Sequence, residues 1–164
     1  MMLINGKPGC GKTSLGASIV ERLQRPLARK AFNTIYCSIS ATMPTQATTI
    51  NVAKSILYQL LNQRCGNVRM FQSLLRAHER ARRSATSPEY ESHLWEAIGD
   101  ALKNPFEKAA ELVLIIDGLD EISTDENEAS RLYDQLYRTV TDGKSSRLIV
   151  LSQSSKLLSQ HQGP

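Results

Sequence analysis

Residues 6–13 read GKPGCGKT, an octet with the spacing G-x-x-x-x-G-K-T. Each residue type in it has a physical job with phosphate. Gly6 and Gly11 let the backbone curl so that its amides point inward at phosphate oxygens, while the helix that follows turns its positive end toward them. Lys12 is placed to reach the β- and γ-phosphates, and the Thr13 hydroxyl to take a position on Mg²⁺. The stretch Gly6, Lys7, Pro8, Gly9, Cys10, Gly11, Lys12, Thr13 and Ser14 is thus the expected nucleotide-binding cradle. Cys10 stands inside it, where inward amides and Lys12 favour a thiolate, although that position suits many small residues.

A second chemical feature lies far downstream in LVLIIDGLDE, residues 112–121. The apolar run 111–117 predicts a strand covered on both faces, and it ends in Asp117. The carboxyl end of a strand in an open α/β sheet is where ligands bind, and a carboxylate there can hold Mg²⁺ directly or through water. Thr13 and Asp117 are therefore the expected metal residues. The chain lacks an N-K-x-D run of the kind that reads guanine.

Alternating elements must position these groups. MLIN predicts a short strand ending at Gly6, and KTSLGASIVERLQ a helix lined by Leu15, Ile19 and Leu23 and stopped by Pro26. Residues 33–40, NTIYCSIS, have the makeup of a strand. Three helices are expected next. The first spans 48–64, with Ile50, Ala53, Ile56, Leu57, Leu60 and Leu61 on one stripe. The second spans 67–82, with Val68, Phe71, Leu74 and Leu75. The third spans 88–103, where Ser87 can cap and Leu94, Ile98 and Leu102 line a face. After the apolar strand, STDE at 123–126 predicts a capping box opening a helix with Ala129, Leu132, Leu136 and Val140 inward, ended by Gly143. Residues 146–154 supply the last strand. Strands alternating with helices mean an α/β domain with a mainly parallel sheet.

Composition narrows the partners. The 164 residues, 41% hydrophobic and 22% charged, fit one soluble domain able to bury a core. Much of the net charge of +4 sits in RAHERARR, residues 76–83, which a solvated helix face explains. Neither an aromatic-interleaved basic face nor a membrane-length apolar run occurs, so nucleic acid and membrane are not expected partners. Cys10, Cys37 and Cys65 are widely spaced without CxxC, which suits free thiols in a reducing, cytoplasmic compartment.

GKPGCGKTSL, with LVLIIDGLDE later, resembles the nucleotide-binding domain of NACHT proteins, particularly the nephrocystin-type N-terminal domain found in multidomain STAND signalling ATPases, many of them fungal. TIYCSIS and the LYQLL helix extend the resemblance over almost the whole chain. It implies a P-loop NTPase three-layer sandwich, a mainly parallel sheet with helices on both faces, binding ATP and Mg²⁺ as a signalling switch. It implies protein partners or effector and repeat domains elsewhere in a longer chain. It also makes Gly118 the small residue beside the Mg²⁺ carboxylate and Asp120 or Glu121 the hydrolytic acid.

Two departures from the family pattern bear on turnover. Gly118 stands where many related ATPases carry a glutamate, so a base must come from Asp120 or Glu121. Gln153 stands where the family commonly has an arginine that senses the γ-phosphate; Lys156 lacks the guanidinium fork, and Arg147 lies at the other end of the strand. The family's last strand and helical lid have no counterpart, so residues 1–164 are expected to form a single, incomplete NACHT-like domain. Two alternatives stand beside the switch: a small P-loop kinase with residues 80–83 as its lid, and a degenerate fragment that is not an enzyme.

Overall fold

Four short runs rich in β-branched and apolar residues form the sheet in the computed structural model: β1 (Met2–Asn5), β2 (Phe32–Ser38), β3 (Glu111–Asp117) and β4 (Ser146–Ser152). The structure describes residues 1–25, 32–42, 47–63, 68–83, 87–103, 111–122, 126–142 and 146–153. All strand pairs are parallel, in the order β1-β4-β3-β2. Helix α1 (Lys12–Gln24) joins β1 to β2, α2 (Thr49–Gln63), α3 (Val68–Arg83) and α4 (Ser87–Lys103) lie between β2 and β3, and α5 (Glu126–Thr141) joins β3 to β4. The chain crosses the sheet one way from β1 to β2 and steps back through β3 to β4. With right-handed crossovers, that reversal puts α1 on one face and the later helices on the other.

The period-two alternation of the strands separates the two cores. Ile35, Cys37, Leu112, Leu114, Ile116, Leu148 and Val150 pack against α2, α4 and α5 in the larger one. Val113, Ile115 and Leu151, joined by Ile4, Phe32, Tyr36 and Ile149, face Ile19, Val20 and Leu23 of α1. The result is the expected three-layer sandwich with helices on both faces. Asp117 and Tyr36 fall on the α1 side by the same alternation.

Three stripes differ from expectation. Helix α1 meets the sheet at buried Gly16, leaving Leu15 exposed. On α2 the buried line includes Val52, while Leu61 turns to solvent. On α3 the expected line fails most clearly: Val68 is 65% and Phe71 61% exposed, and Leu75 is exposed too. Helix α3 rides on α4 rather than on the sheet, so its inward side is Ser73, Leu74 and Ala77, with the Ser73 hydroxyl donating to Asp100 Oδ2 at 2.9 Å. Residues 80–83, the lid of the kinase alternative, form the last turn of α3. The stripes of α4 and α5 are buried as expected. Pro26, Cys65, Ser123, Gly143 and Lys156 lie outside the described residues, as does the Ser87 side chain.

Strand β2 ends the sheet on one side, and α2 covers its edge with side-chain amides. Gln59 Nε2 donates to the Tyr36 carbonyl at 2.9 Å, and the Tyr36 N–H donates to Gln59 Oε1 at 3.0 Å. One turn on, Gln63 Nε2 donates to the Thr34 carbonyl at 2.6 Å. Glutamines four apart on one helix face thus replace a neighbouring strand and blunt an otherwise open edge. Replacing Gln59 by leucine leaves both Tyr36 backbone groups unsatisfied, and should lower unfolding free energy by about 1–3 kcal/mol in urea titration. An unchanged midpoint would show that water serves that edge equally well.

Candidate functional site

Because all four strands are parallel, their carboxyl ends gather at one side of the sheet, and the glycine-rich loop and LVLIIDGLDE both emerge there. Ile4, Leu151, Asp117 and Ser38 share one register row across β1, β4, β3 and β2. One strand therefore separates Asp117 from the strand feeding the loop, a backbone spacing of roughly 10 Å. The Gly6 N–H donates to the Ser152 carbonyl at 3.2 Å, which fixes the loop's origin on β4.

The loop is built on left-handed glycines, Gly9 at φ 73° and Gly11 at φ 88°. Gly11 is also the residue before α1, and no side chain caps that helix start. The first amides of α1 are thus left without a side-chain acceptor, in a setting that favours an anion. Lys12 Nζ folds back onto the loop and donates to the carbonyls of Gly6, at 2.8 Å, and Lys7, at 3.1 Å. A Cβ at Gly6 would stand 2.5 Å from Cys10 Sγ, so a larger residue there would require the exposed thiol to turn away. Lys7, Pro8, Gly9, Cys10, Thr13 and Ser14 are exposed to solvent at this mouth.

Asp117 presents the opposite situation. It is 4% exposed, yet follows five consecutive apolar residues, Leu112 to Ile116, in its strand. Its carboxylate has one neutral donor, the Tyr36 hydroxyl, 2.9 Å from Oδ2. Tyr36 sits diagonally from Asp117 on the neighbouring strand, within reach of an aromatic side chain. Burial, and then the bond to Asp117, push the Tyr36 hydroxyl up to about 12, so it remains a donor at neutral pH. The ring lies against α1 at Gly16, where a Cβ would come within 3.2 Å of it and 2.9 Å of Leu151 Cδ1.

The turn after Asp117 ties three strand ends together. Ile39 N–H donates to the Asp117 carbonyl at 2.8 Å, and Gly118 N–H to the Leu151 carbonyl at 2.9 Å. Gly118 is left-handed, at φ 80°, and starts a single 3₁₀ turn, Leu119–Glu121. Asp120 Oδ1 accepts from the Ser152 hydroxyl and the Gln153 N–H, both at 2.8 Å. Glu121 Oε2 accepts from the Ala41 N–H at 3.0 Å. Both acids nominated for water activation are therefore also anchors, one on the end of β4 and one on the segment after β2. Arg147 lies at the start of β4, where it pairs with Glu111 at 2.9 Å.

Sequence reasoning missed Tyr36, Gly16, Gln59 and Ser152. Gly16 carries the readable signal, since a glycine inside a helix costs about 1 kcal/mol against alanine and points to close packing. Gly118 combines a left-handed backbone with a notional Cβ that collides with the Ile39 carbonyl oxygen. Gly118→Ala should therefore destabilise the domain by about 2 kcal/mol or more in thermal or urea unfolding. A variant as stable as the parent would mean the turn has another conformation open to it.

The fold has solved relatives. One is a chain in the structure of Drosophila ORC bound to DNA, matched with a TM-score of 0.53 and 18% identity over 98% of this chain. The match covers 34% of that chain, so the present chain spans about a third of its length. The likeness is one of architecture, consistent with a P-loop NTPase-like α/β fold. No curated protein matches the sequence. No helix among the described residues is long and apolar enough to cross a membrane. The family model for the nephrocystin 3 N-terminal domain matches residues 1–153, nearly the entire chain, and the protein belongs to that family.

Proposed function

We propose that the chain binds Mg-ATP as the nucleotide switch core of a NACHT-type STAND signalling protein, and turns it over slowly if at all. The observation that carries this is the uncapped start of α1 inside a loop of left-handed glycines, with buried Asp117 one strand away at the same end of the sheet. The residues fit the ligand. Backbone amides of Gly9 and of Gly11 to Ser14 would receive phosphate oxygens within the Gly6–Ser14 cradle, with Lys12 exchanging its two loop carbonyls for phosphate. Thr13 and Asp117 would hold Mg²⁺, which supplies charge neutralisation on the phosphates when bound. Nucleotide and protein partners complete this proposal; DNA belongs to the ORC structure and is not carried over.

Asp120 and Glu121 are the proposed acids for orienting water. Each already accepts backbone N–H bonds, which holds it in place but uses part of its acceptor capacity. Gln153 contributes its backbone N–H to Asp120 and has no guanidinium to set against developing charge. In nucleotide hydrolysis an arginine finger is worth about 10³–10⁵ in rate, so slow turnover is the consequence.

Titration with a fluorescent ATP analogue tests the binding half. Lys12→Ala should lose affinity tenfold or more, since contacts between a charged group and phosphate are worth about 1.5–3 kcal/mol. Asp117→Asn should weaken binding in Mg²⁺ while leaving Mg²⁺-free binding nearly unchanged. Equal affinity of Lys12→Ala and parent would end the nucleotide proposal.

Turnover is checked separately by phosphate release. The parent should run well below about 1 s⁻¹, the lower end of ordinary enzymes. The Asp120→Ala, Glu121→Ala double variant should lose what activity remains while still binding ATP. Activity indifferent to both substitutions would place the base elsewhere.

A further inference from the structure

The hydrogen bond from the Tyr36 hydroxyl to the Asp117 carboxylate plays no part in the nucleotide proposal. A carboxylate this buried needs a partner, and the choice of partner decides what else it can hold. An arginine or lysine there would cancel its charge and compete with a cation. A phenol donates one hydrogen bond and brings no charge, so the full negative charge of Asp117 stays available to a divalent ion. The bond occupies one lone-pair site on Oδ2, and a carboxylate offers about four.

Tyr36 is also held at its backbone and at its ring. Both of its backbone groups are gripped by the Gln59 amide, at 3.0 and 2.9 Å. Its ring is seated against Gly16 of α1, the helix that grows out of the glycine loop. The tyrosine therefore connects, through its backbone and its ring, the covered edge of the sheet, the helix behind the loop and the Asp117 carboxylate.

Resting on the Mg-ATP proposal above, we infer that Tyr36 is a positioning residue for the metal, orienting the Asp117 carboxylate so that Mg²⁺ strengthens nucleotide binding. Tyr36→Phe keeps the ring and removes the donor. ATP affinity is measured calorimetrically for parent and variant, once in excess Mg²⁺ and once in EDTA. Mg²⁺-free affinity should stay within about twofold of parent, while the gain from Mg²⁺ shrinks by about three- to tenfold, the worth of one hydrogen bond. Mn²⁺ binding to the ATP-loaded protein, read by electron paramagnetic resonance, should weaken in step. In an Asp117→Asn background, Tyr36→Phe should change neither quantity further.

A purely structural tyrosine gives a different pattern, in which both affinities and the melting temperature fall together; that result overturns the inference. So does an undiminished Mg²⁺ gain in Tyr36→Phe. Should Tyr36→Phe not fold, Gly16→Ala decides instead. It retains the hydroxyl but presses on the ring, and should show the same selective loss of Mg²⁺ gain. A parent that binds no Mg-ATP removes the function proposal and this inference together. A parent that binds with a Mg²⁺ gain insensitive to both variants removes this inference alone.

Discussion

A carboxylate buried at the end of a central strand is the constraint around which this domain is arranged. Leaving Asp117 charged and desolvated without partners would cost several kcal/mol, enough to consume much of a small domain's stability. The structure offsets part of that cost locally, with a phenol on Oδ2. That bond is neutral and brings no opposing charge. A fold that wanted only stability would do better with an apolar residue in that place, as β3 has at almost every other position. The buried acid thus does little for the core, which is what the proposed metal role requires.

The DGLDE turn follows from the same constraint. Parallel strands end together and leave backbone groups that no further ladder satisfies. Gly118, free to turn left-handed, sends its N–H to β4 and its successors' carboxylates to the ends of β4 and the segment after β2. The two acids proposed to orient water are thereby enlisted in holding strand ends together. Rigid strand ends keep Asp117 and the loop in a fixed relation. The same anchoring draws on lone pairs that a general base would need, so the proposed binding and the proposed slow turnover share one structural basis.

The glycine loop, Asp117 and the parallel α/β architecture were legible in the sequence because each is written in consecutive residues or in a period. A loop of fixed spacing, an apolar run closed by an acid, and stripes at helical intervals need no knowledge of tertiary contacts. Tyr36 was not legible, since its partner lies 81 residues away and nothing in NTIYCSIS says which face the ring takes. Gln59 was hidden for a similar reason: a glutamine in an amphipathic helix reads as solvated until the helix is laid against a strand edge. The misjudged stripe of α3 shows the converse limit. Val68, Phe71 and Leu75 have helical periodicity, but periodicity reports that a face is apolar and not that another element covers it.

Covering the β2 edge does more than prevent mispairing. Because Gln59 binds both backbone groups of Tyr36, the position of the phenol depends on where α2 docks, and α2 packs in turn on α4. On the opposite face, Gly16 sets how closely α1 approaches the same ring. Tyr36 is therefore the point where the two helical layers meet across the sheet. A shift of either layer would act on Asp117 through this half-buried residue, which touches both. In a domain whose other two acids hold strand ends, this contact gives helix packing a direct physical route to the Asp117 carboxylate, the proposed metal residue.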